Sequence, residues 1–307
     1  MIINKETLSA LFTGFKTAFS IGVTSAPSVY REIAMVVPSN TREEIYGWLG
    51  QFPGVREWIG PRQIKNLSAH SFSIVNRLFE STIEVPRTDI EDDRLGVFAP
   101  IAQELGRAAA DHPDQLVFSL LASGFTTKCY DGQSFFDTDH PVGLNGQSPV
   151  VSVSNFQDGA GPAWFLLDTT RAMKPIIYQE RIPYKLTQLD DDSDKEVFLN
   201  DRFVYGTRGR SNVGFGLWQL AYASKAALTP ANYEAARAAM ATITGDEGRP
   251  LNVKPNILVV PSSLEGAAMR LLNNGTRIEL VGDDDTPVAI QNEWAGTAKP
   301  IVTAWLG

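Results

Sequence analysis

The 307-residue chain has one cysteine and three histidines, and it has no hydrophobic run long enough to span a membrane. Its single cysteine, Cys129, cannot form an intrachain disulfide and suits a reducing compartment. A bilayer-spanning helix needs about 20 mostly apolar residues, and no segment approaches that length. The start of the chain also has no basic leader followed by an apolar core. We therefore expect a product of the cytoplasm.

Positive charge is also scarce, with 27 lysine and arginine residues against 35 aspartate and glutamate residues and a formal net charge of −8. Duplex DNA is bound largely by lysine and arginine side chains that displace counterions, so broad phosphate binding is disfavoured. The hydrophobic fraction of 43% is normal for a globular protein. A compact chain of this size can bury roughly three quarters of its unfolded surface.

Residues 58 to 93 predict a long two-stranded hairpin. Its return limb alternates between two faces, as a strand should, and one face consists of Phe79, Ser81, Ile83 and Val85. Its outgoing limb mixes polar residues with Leu67, Phe72 and Ile74, and the dipeptide Asn76-Arg77 is the predicted tip. An isolated hairpin is marginally stable in water, so we expect this one to lie on another molecule. An internal hairpin of a mixed sheet is the alternative.

A long amphipathic helix follows the acidic joint of residues 89 to 93. Asp92 and Asp93 are candidate N-cap residues, and Gly124 is a suitable end. One face of this helix is predicted from residues that recur three or four positions apart, namely Leu95, Phe98, Ala102, Leu105, Ala109, His112, Leu116 and Leu120. Pro113 should kink this helix or split it in two, with Asp111 capping the second half.

The remaining segments predict an α+β protein. A short apolar helix near the N-terminus is indicated by Leu8, Leu11, Phe12, Phe15 and Phe19. Strands and loops are expected over residues 142 to 228. Thr229-Pro230 should open a helix, and residues 257 to 260 form an apolar strand. Ser262 and Glu265 form a candidate capping box for a helix ending near Asn273, and strands are expected at residues 277 to 280 and 301 to 306.

The densest cluster of potentially reactive residues lies between Tyr130 and Pro141. Metal ligands could come from Asp131, Asp137, Asp139 and His140, although a metal site usually draws ligands from several segments. Cys129 and His140 could alternatively act as nucleophile and base. The same segment can be explained as a packed turn around Phe135-Phe136, and we favour that interpretation.

Two further patterns imitate ligand sites and fail in detail. Asp190, Asp192 and Asp194 resemble the start of a calcium loop, but Lys195 occupies the position of the required glycine and Asp201 that of the glutamate. We expect a solvated loop there.

The spacing of Gly209 and Gly214 fits a phosphate loop, but Phe215 stands where lysine is needed. Residues 205 to 219 carry Arg208 and Arg210 among glycines and aromatics, which would permit single-stranded nucleic-acid stacking. We favour a mobile loop at a subunit contact.

Several blocks together give the chain a whole-length resemblance to a known family. The blocks are LSALFTGFKTAF at residues 8 to 19, SAPSVYREIAMVVPS at 25 to 39, YGWLGQFPGVREWIG at 46 to 60, VPRTDIEDDRLGVFAPIAQELGRAAADHPDQLVFSLLASGF at 85 to 125, YDGQSFFDTDHP at 130 to 141, KPIIYQER at 174 to 181 and LNVKPNILVVPSSLEGAAMRLL at 251 to 272. They resemble the major head subunit of Mu-like phages, the gpT family. None of these blocks is a catalytic signature.

The resemblance implies the Hong Kong 97-type phage capsid fold. It would comprise an N-terminal arm and the start of a peripheral domain (1–57), an extended hairpin loop (58–91), the spine helix of the peripheral domain (92–127), an axial domain with an insertion (128–284), and C-terminal strands returning to the peripheral domain (285–307).

The implied function is that of a structural major capsid protein without catalytic activity, cofactor or metal. Such chains assemble into hexamers and pentamers in the host cytoplasm and become the virion capsid, which encloses DNA and needs no membrane. Further implied partners are a scaffold protein, a maturation protease, a portal and decoration proteins. The alternative is a phage-associated metal- or Cys/His-dependent hydrolase using the segment from Asp131 to His140.

Charged residues of the hairpin and of the acidic joint are candidates for contacts between neighbouring subunits. The basic candidates are Arg62, Lys65, Arg77 and Arg87, and the acidic candidates are Asp89, Glu91, Asp92 and Asp93. Local pairing is not expected to satisfy four carboxylates crowded at a helix start. Individual exposed pairs contribute only about 0 to 1 kcal/mol, but symmetry repeats each pair in every subunit.

Overall fold

The computed structural model describes residues 4–49, 72–92, 96, 98–143, 151–191, 193–245, 249–281 and 286–306. Its mixture of helices and sheets agrees with the predicted α+β class. Buried apolar side chains form two clusters. The larger core is centred on a five-stranded sheet, and the smaller core lies between two long helices and a four-stranded sheet.

The first helix, α1, spans Lys5–Ser25 and confirms the helix predicted near the N-terminus. Asn4 and Thr7 cap it reciprocally, because each side chain accepts a hydrogen bond from the other residue's backbone N–H, at 2.9 and 3.0 Å. Such a box satisfies two donors that a helix start leaves unpaired. The apolar stripe that α1 buries consists of Leu8, Leu11, Phe15 and Phe19.

The long helix after the acidic joint begins later than predicted. Residues Arg87–Glu91 first form a short helix, α3, and Asp92 is its C-cap. The long helix, α4, spans Phe98–Ala122 and ends in a single 3-10 turn at Ser123–Phe125. Asp92 is therefore not the N-cap of α4, and the other candidate, Asp93, lies outside the described residues.

Pro113 does not split α4 in two, so one of the two predicted outcomes is wrong. The helix runs through it without interruption, so Asp111 is an interior residue and caps no second half. A proline removes one helical hydrogen bond, but packing on both sides can offset that loss. Here Leu105 and Ala109 are buried before the proline, and Val117 and Phe118 after it.

Two glycines allow α1 and α4 to pack closely. A Cβ atom added to Gly106 would lie 2.1 Å from the carbonyl oxygen of Phe19, and one added to Gly22 would lie 1.9 Å from the carbonyl oxygen of Gln103. Both obstacles are backbone atoms, so a side-chain rotation cannot relieve them. The contact therefore requires glycine at both positions.

We expect Gly106→Ala to destabilise the protein by about 1 to 3 kcal/mol, because overpacking outweighs the better helix propensity of alanine. Gly14→Ala in α1 is the matched control, since no described atom lies within 4 Å of the added Cβ. This control should gain about 0.5 to 1 kcal/mol. Urea unfolding measures both values, and stabilisation by Gly106→Ala would contradict the close helix crossing.

The four-stranded sheet has the order β1-β9-β10-β4. Its strands are β1 (Ala34–Pro38), β4 (Arg77–Pro86), β9 (Ile176–Leu189) and β10 (Arg202–Phe215). β10 runs antiparallel to both β9 and β4, and β1 runs parallel to β9. Alternate residues such as Phe203 and Tyr205 are buried with side chains of α1 and α4, so the helices cover one face of this sheet.

The strand pairing predicted for the hairpin of residues 58 to 93 is wrong where the structure describes it, and residues 58 to 71 and 93 lie outside that part. Strand β4 pairs with β10 and not with the preceding limb. That limb contains β3, Ser73–Val75, which pairs with β2, Glu43–Ile45. The alternation of β4 therefore arose from an internal sheet with one covered face.

Asn76 is a buried hydrogen-bonding residue and not a hairpin tip. Its side-chain amide donates to Ser39 Oγ at 2.8 Å and accepts from Gln179 Nε2 at 2.9 Å. Gln179 in turn accepts from the hydroxyl of Tyr46 at 2.8 Å. Asparagine is common in turns, so the sequence alone suggested the wrong role.

The five-stranded sheet has the order β15-β12-β8-β11-β7. Its strands are β7 (Phe156–Gln157), β8 (Trp164–Leu167), β11 (Ala221–Ser224), β12 (Ile257–Pro261) and β15 (Lys299–Thr303). The helices α6 (Pro230–Ala241) and α7 (Glu265–Leu272) pack beside it. Two separate ladders pair β5 (His140–Val142) with β6 (Val151–Val153) and β13 (Thr276–Val281) with β14 (Thr286–Gln291).

Most local predictions in this half are confirmed. Thr229 caps α6 by accepting from the N–H of Asn232, and residues 257 to 260 form a buried strand. The capping box at Ser262 and Glu265 is wrong, because Ser262–Leu264 is a 3-10 turn and α7 has no side-chain cap among the described residues. The last predicted strand ends at Thr303 and is followed by a 3-10 turn.

The glycine- and arginine-containing segment at residues 205 to 219 is not a loop. Most of it belongs to β10, the strand between β9 and β4, where backbone ladders on both sides hold it. The spaced glycines fit that strand: a Cβ at Gly209 would lie 2.9 Å from the ring of Tyr184. None of the helices in the described ranges has both the length and the apolarity needed to cross a bilayer.

Candidate functional site

The segment from Cys129 to His140 forms a tight turn after α4. The N–H of Cys129 donates to the carbonyl of Gln133 at 2.8 Å, and the N–H of Gly132 returns to the carbonyl of Cys129 at 3.1 Å. Gly132 has φ of +88°, a conformation that glycine adopts without steric cost. The turn directs Cys129, Asp131 and His140 towards one another, with one potential ligand atom from each within 4.8 Å.

Asp131 is the centre of this cluster. One carboxylate oxygen accepts hydrogen bonds from the thiol of Cys129 and the N–H of Gln133, both at 3.0 Å. The other oxygen lies 2.7 Å from Nδ1 of His140. Burial opposes ionisation of Asp131, but the hydrogen bonds from His140 and Cys129 outweigh it and hold the pKa of this carboxyl below its usual value.

The cluster does not provide an activated nucleophile. Burial, and then the nearby charge of Asp131, raises the pKa of the Cys129 thiol, so the thiol stays protonated and serves as a hydrogen-bond donor. The imidazole of His140 is fully buried and stacks on Trp218, with centroids 4.0 Å apart and planes 9° from parallel. A catalytic base must reach its substrate, and this ring is enclosed.

Of the four predicted metal ligands, the structure brings Asp131 and His140 together. Cys129, which was considered only as a nucleophile, joins them in the one group of potential ligands in the described ranges. Both oxygens of Asp131 already accept hydrogen bonds within the cluster. Asp137 binds the N–H of Thr138 through its carboxylate, and Asp139 is exposed. A hydrogen-bonded structural turn accounts for the whole arrangement.

The acidic loop predicted around Asp190 to Asp201 contains an unforeseen helix. Residues Lys195–Asn200 form α5, which connects β9 to β10 and ends at Asp201 in a left-handed conformation with φ of 48°. Asp191 accepts hydrogen bonds from the backbone and hydroxyl of Ser193, as in an ordinary turn. Asp192 lies outside the described residues.

The structure places five of the eight predicted contact residues, while Arg62, Lys65 and Asp93 lie outside its described ranges. Arg87 and Glu91 pair with each other at 3.5 Å across one turn of α3. Of the acidic candidates, Glu91 is thus paired locally. Arg77 lies over the ring of Phe79, 5.2 Å from its centroid, and Asp89 belongs to α3.

One buried carboxylate has a structural role that the sequence did not indicate. Asp114, one residue after Pro113, is buried and accepts from the backbone N–H groups of Val29 and Tyr30 at 3.1 and 2.6 Å. It also accepts from the hydroxyl of Ser28 at 3.1 Å. These bonds attach the short helix α2, Tyr30–Ile33, to α4. No local pattern indicates them, because the partners are more than 80 residues apart.

Comparisons with known proteins identify one family over nearly the whole chain. The family model described as Mu-like prophage major head subunit gpT matches residues 8–306. The chain belongs to this family. It is 47% identical over 298 residues to the Mu-like prophage FluMu major head subunit of Haemophilus influenzae, which covers 95% of both chains. It is 45% identical over 314 residues to the major capsid protein of Escherichia phage Mu, across the full length of both.

Solved structures agree with this assignment. The subunit of the bacteriophage JBD30 procapsid superposes with a TM-score of 0.83 at 46% identity, covering 99% of this chain and all of that one. The JBD30 capsid decorated with minor capsid protein trimers gives a TM-score of 0.74 at 36% identity over both full chains. The protein is therefore a phage major capsid protein, a structural component of the virion and not an enzyme. These comparisons do not support the hydrolase alternative.

Proposed function

We propose that copies of this chain assemble in the bacterial cytoplasm into hexamers and pentamers of a Hong Kong 97-type shell. The full-length similarity to the JBD30 procapsid subunit carries this proposal, because it covers both chains almost completely. A protein that repeats one contact by symmetry can close a large container from a small chain. A scaffold, a maturation protease and a portal are proposed partners, and DNA is a partner by enclosure only.

The observed elements support the following proposed domain boundaries. We assign α4, α1 and the four-stranded sheet to the peripheral domain, and the five-stranded sheet with α6 and α7 to the axial domain. The extended loop is better placed between β2 and β3 than at residues 58 to 91. Because β2 and β3 pair antiparallel, and the N–H of Tyr46 donates to the carbonyl of Phe72 at 2.7 Å, the two ends of the intervening segment lie side by side.

Charged contacts between subunits remain part of this proposal, with a smaller set of residues. Arg87 and Glu91 are already paired within the chain, which leaves Arg77 as the best described basic candidate. The remaining candidates are Arg62, Lys65, Asp89, Asp92 and Asp93. Their contribution per pair is small and depends on salt, so its effect is visible only when multiplied over a shell.

The test is electron microscopy and sedimentation of the purified protein with its Arg77→Glu variant, at low and high salt. We expect closed shells or discrete capsomers from the wild type. The Arg77→Glu variant should give fewer shells than the wild type at low salt. The separate variant Arg77→Lys keeps the positive charge and should give the wild-type yield. A wild type that stays monomeric under all conditions would contradict the assembly proposal. A shell yield of Arg77→Glu equal to that of the wild type would show that Arg77 makes no contact between subunits that matters for assembly.

A further inference from the structure

We propose that Phe198 and Leu199 form a docking knob for a trimeric minor capsid protein on the outside of the assembled shell. This inference rests on the proposed shell assembly and adds the surface at which a second protein attaches. The two residues are adjacent on α5, and they are called the α5 knob below.

The α5 knob is exposed to an unusual degree for large apolar side chains. The exposed fraction is 80% for Phe198 and 60% for Leu199, whereas the preceding residue, Val197, is buried in the smaller core. One side of the helix therefore packs against the smaller core, and the other side exposes apolar side chains to water. Contiguous exposed apolar surface of this kind commonly marks a binding site.

The α5 knob is held firmly by its surroundings. Asp201 closes the helix by donating its N–H to the carbonyl of Val197 at 3.0 Å, and its own carbonyl accepts from the N–H of Arg87 at 3.0 Å. Arg202 forms ion pairs with Glu84 on β4 and with Glu196 on α5. A preorganised surface loses little conformational entropy when a partner binds.

The surroundings of the α5 knob are acidic. Between residues 190 and 202 of the sequence, six acidic residues outnumber the two basic residues, Lys195 and Arg202; the acidic residues are Asp190, Asp191, Asp192, Asp194, Glu196 and Asp201. Charge crowding is visible at Asp190, where burial, followed by the charges of Asp194 and Asp191, raises the pKa of the carboxyl. A fitting partner therefore offers an apolar pocket rimmed by lysine or arginine.

A second copy of this chain is a poorer match for that surface. The chain carries a net charge of −8, so two copies meeting at their acidic tips would repel each other. A decorating trimer matches by symmetry, because its three equivalent sites can each take one knob where three subunits meet. The capsid of the full-length relative JBD30 is decorated with minor capsid protein trimers. Three simultaneous contacts strengthen each other through effective concentration.

The experiment adds purified JBD30 minor capsid protein trimers to shells of the wild type and of the double variant Phe198→Ser, Leu199→Ser. Trimer occupancy is counted by electron microscopy and checked by co-sedimentation. We expect wild-type shells to bind trimers, and the double variant to form shells at normal yield while its trimer affinity falls by at least about tenfold. Asn200→Ser, on the exposed end of the same helix, should leave both properties unchanged.

Each of the other outcomes would contradict either the assembly proposal or the docking proposal. Absence of wild-type shells would contradict the assembly proposal. Normal shells with equal occupancy on wild type and double variant, or wild-type shells that bind no trimers, would overturn the docking proposal alone. Loss of shells in the double variant only, with its melting temperature unchanged, would overturn it in favour of a contact between copies of this chain.

Discussion

Phe136→Ala is expected to lower the free energy of unfolding by roughly 3 to 5 kcal/mol, the cost of truncating a buried aromatic side chain. The ring of Phe136 packs among three others, with centroids at 4.9 Å to Phe135, 5.3 Å to Phe165 and 5.4 Å to Phe125. It also fills the space beside Gly124, where an added Cβ would lie 2.7 Å from the ring. Chemical denaturation measures the loss, and shell yield should fall with it.

Cys129→Ser is the control for this change, because it alters the same turn while removing much less volume than the loss of a phenyl ring. A serine hydroxyl can donate to Asp131 as the thiol does, so we expect a change within about 1 kcal/mol and normal assembly. If the segment were a hydrolase site, Cys129→Ser would instead abolish the activity and leave the stability of the fold unchanged. A stable Phe136→Ala protein would show that the segment is not a packed structural turn.

Asp114→Ala should cost roughly 2 to 4 kcal/mol, because it leaves the buried N–H of Tyr30, the half-buried N–H of Val29 and the hydroxyl of Ser28 without their acceptor. The gain from these bonds is reduced by the cost of burying a carboxylate. Burial raises the pKa of Asp114, although the hydrogen bonds from Val29, Tyr30 and Ser28 act in the opposite direction. The expected structural result is detachment of α2 from α4, which protection from hydrogen exchange at Tyr30 would report.

Two substitutions bracket this prediction. Asp114→Asn keeps an acceptor oxygen without a charge to bury, so it should retain most of the stability. Asp111→Ala removes only an exposed pair with Arg107 at 3.8 Å and should change stability by less than about 0.5 kcal/mol. Equal losses for Asp111→Ala and Asp114→Ala would show that Asp114 has no special role.

Long periodic segments and explicit capping signals were predictable from the sequence. The helices α1, α4 and α6 and the strand β12 lie where apolar spacing indicated, because side-chain periodicity follows directly from helix and strand geometry. The whole-length resemblance likewise identified the family, and with it the structural function. Predictions of element ends were less accurate, as at Asp92 and Ser262, where a short helix and a 3-10 turn used the residues differently.

The pairing of β4 was decided only by the tertiary structure. Alternation shows that a strand has two faces, but it does not say which strand lies beside it, and the partner β10 is more than 110 residues away. The same limit applies to Asn76, whose side chain suits a turn as well as a buried network. Continuity of α4 through Pro113 also depends on packing that local propensity does not contain.

The chemistry of the turn after α4 was likewise decided in three dimensions. The sequence by itself determined that Cys129, Asp131 and His140 are close along the chain, and it left a metal site, a catalytic pair and a structural turn open. In the structure the imidazole is buried against Trp218, and the protonated thiol donates a hydrogen bond to Asp131. Burial and partners set protonation and access, and both depend on residues brought together from distant parts of the chain.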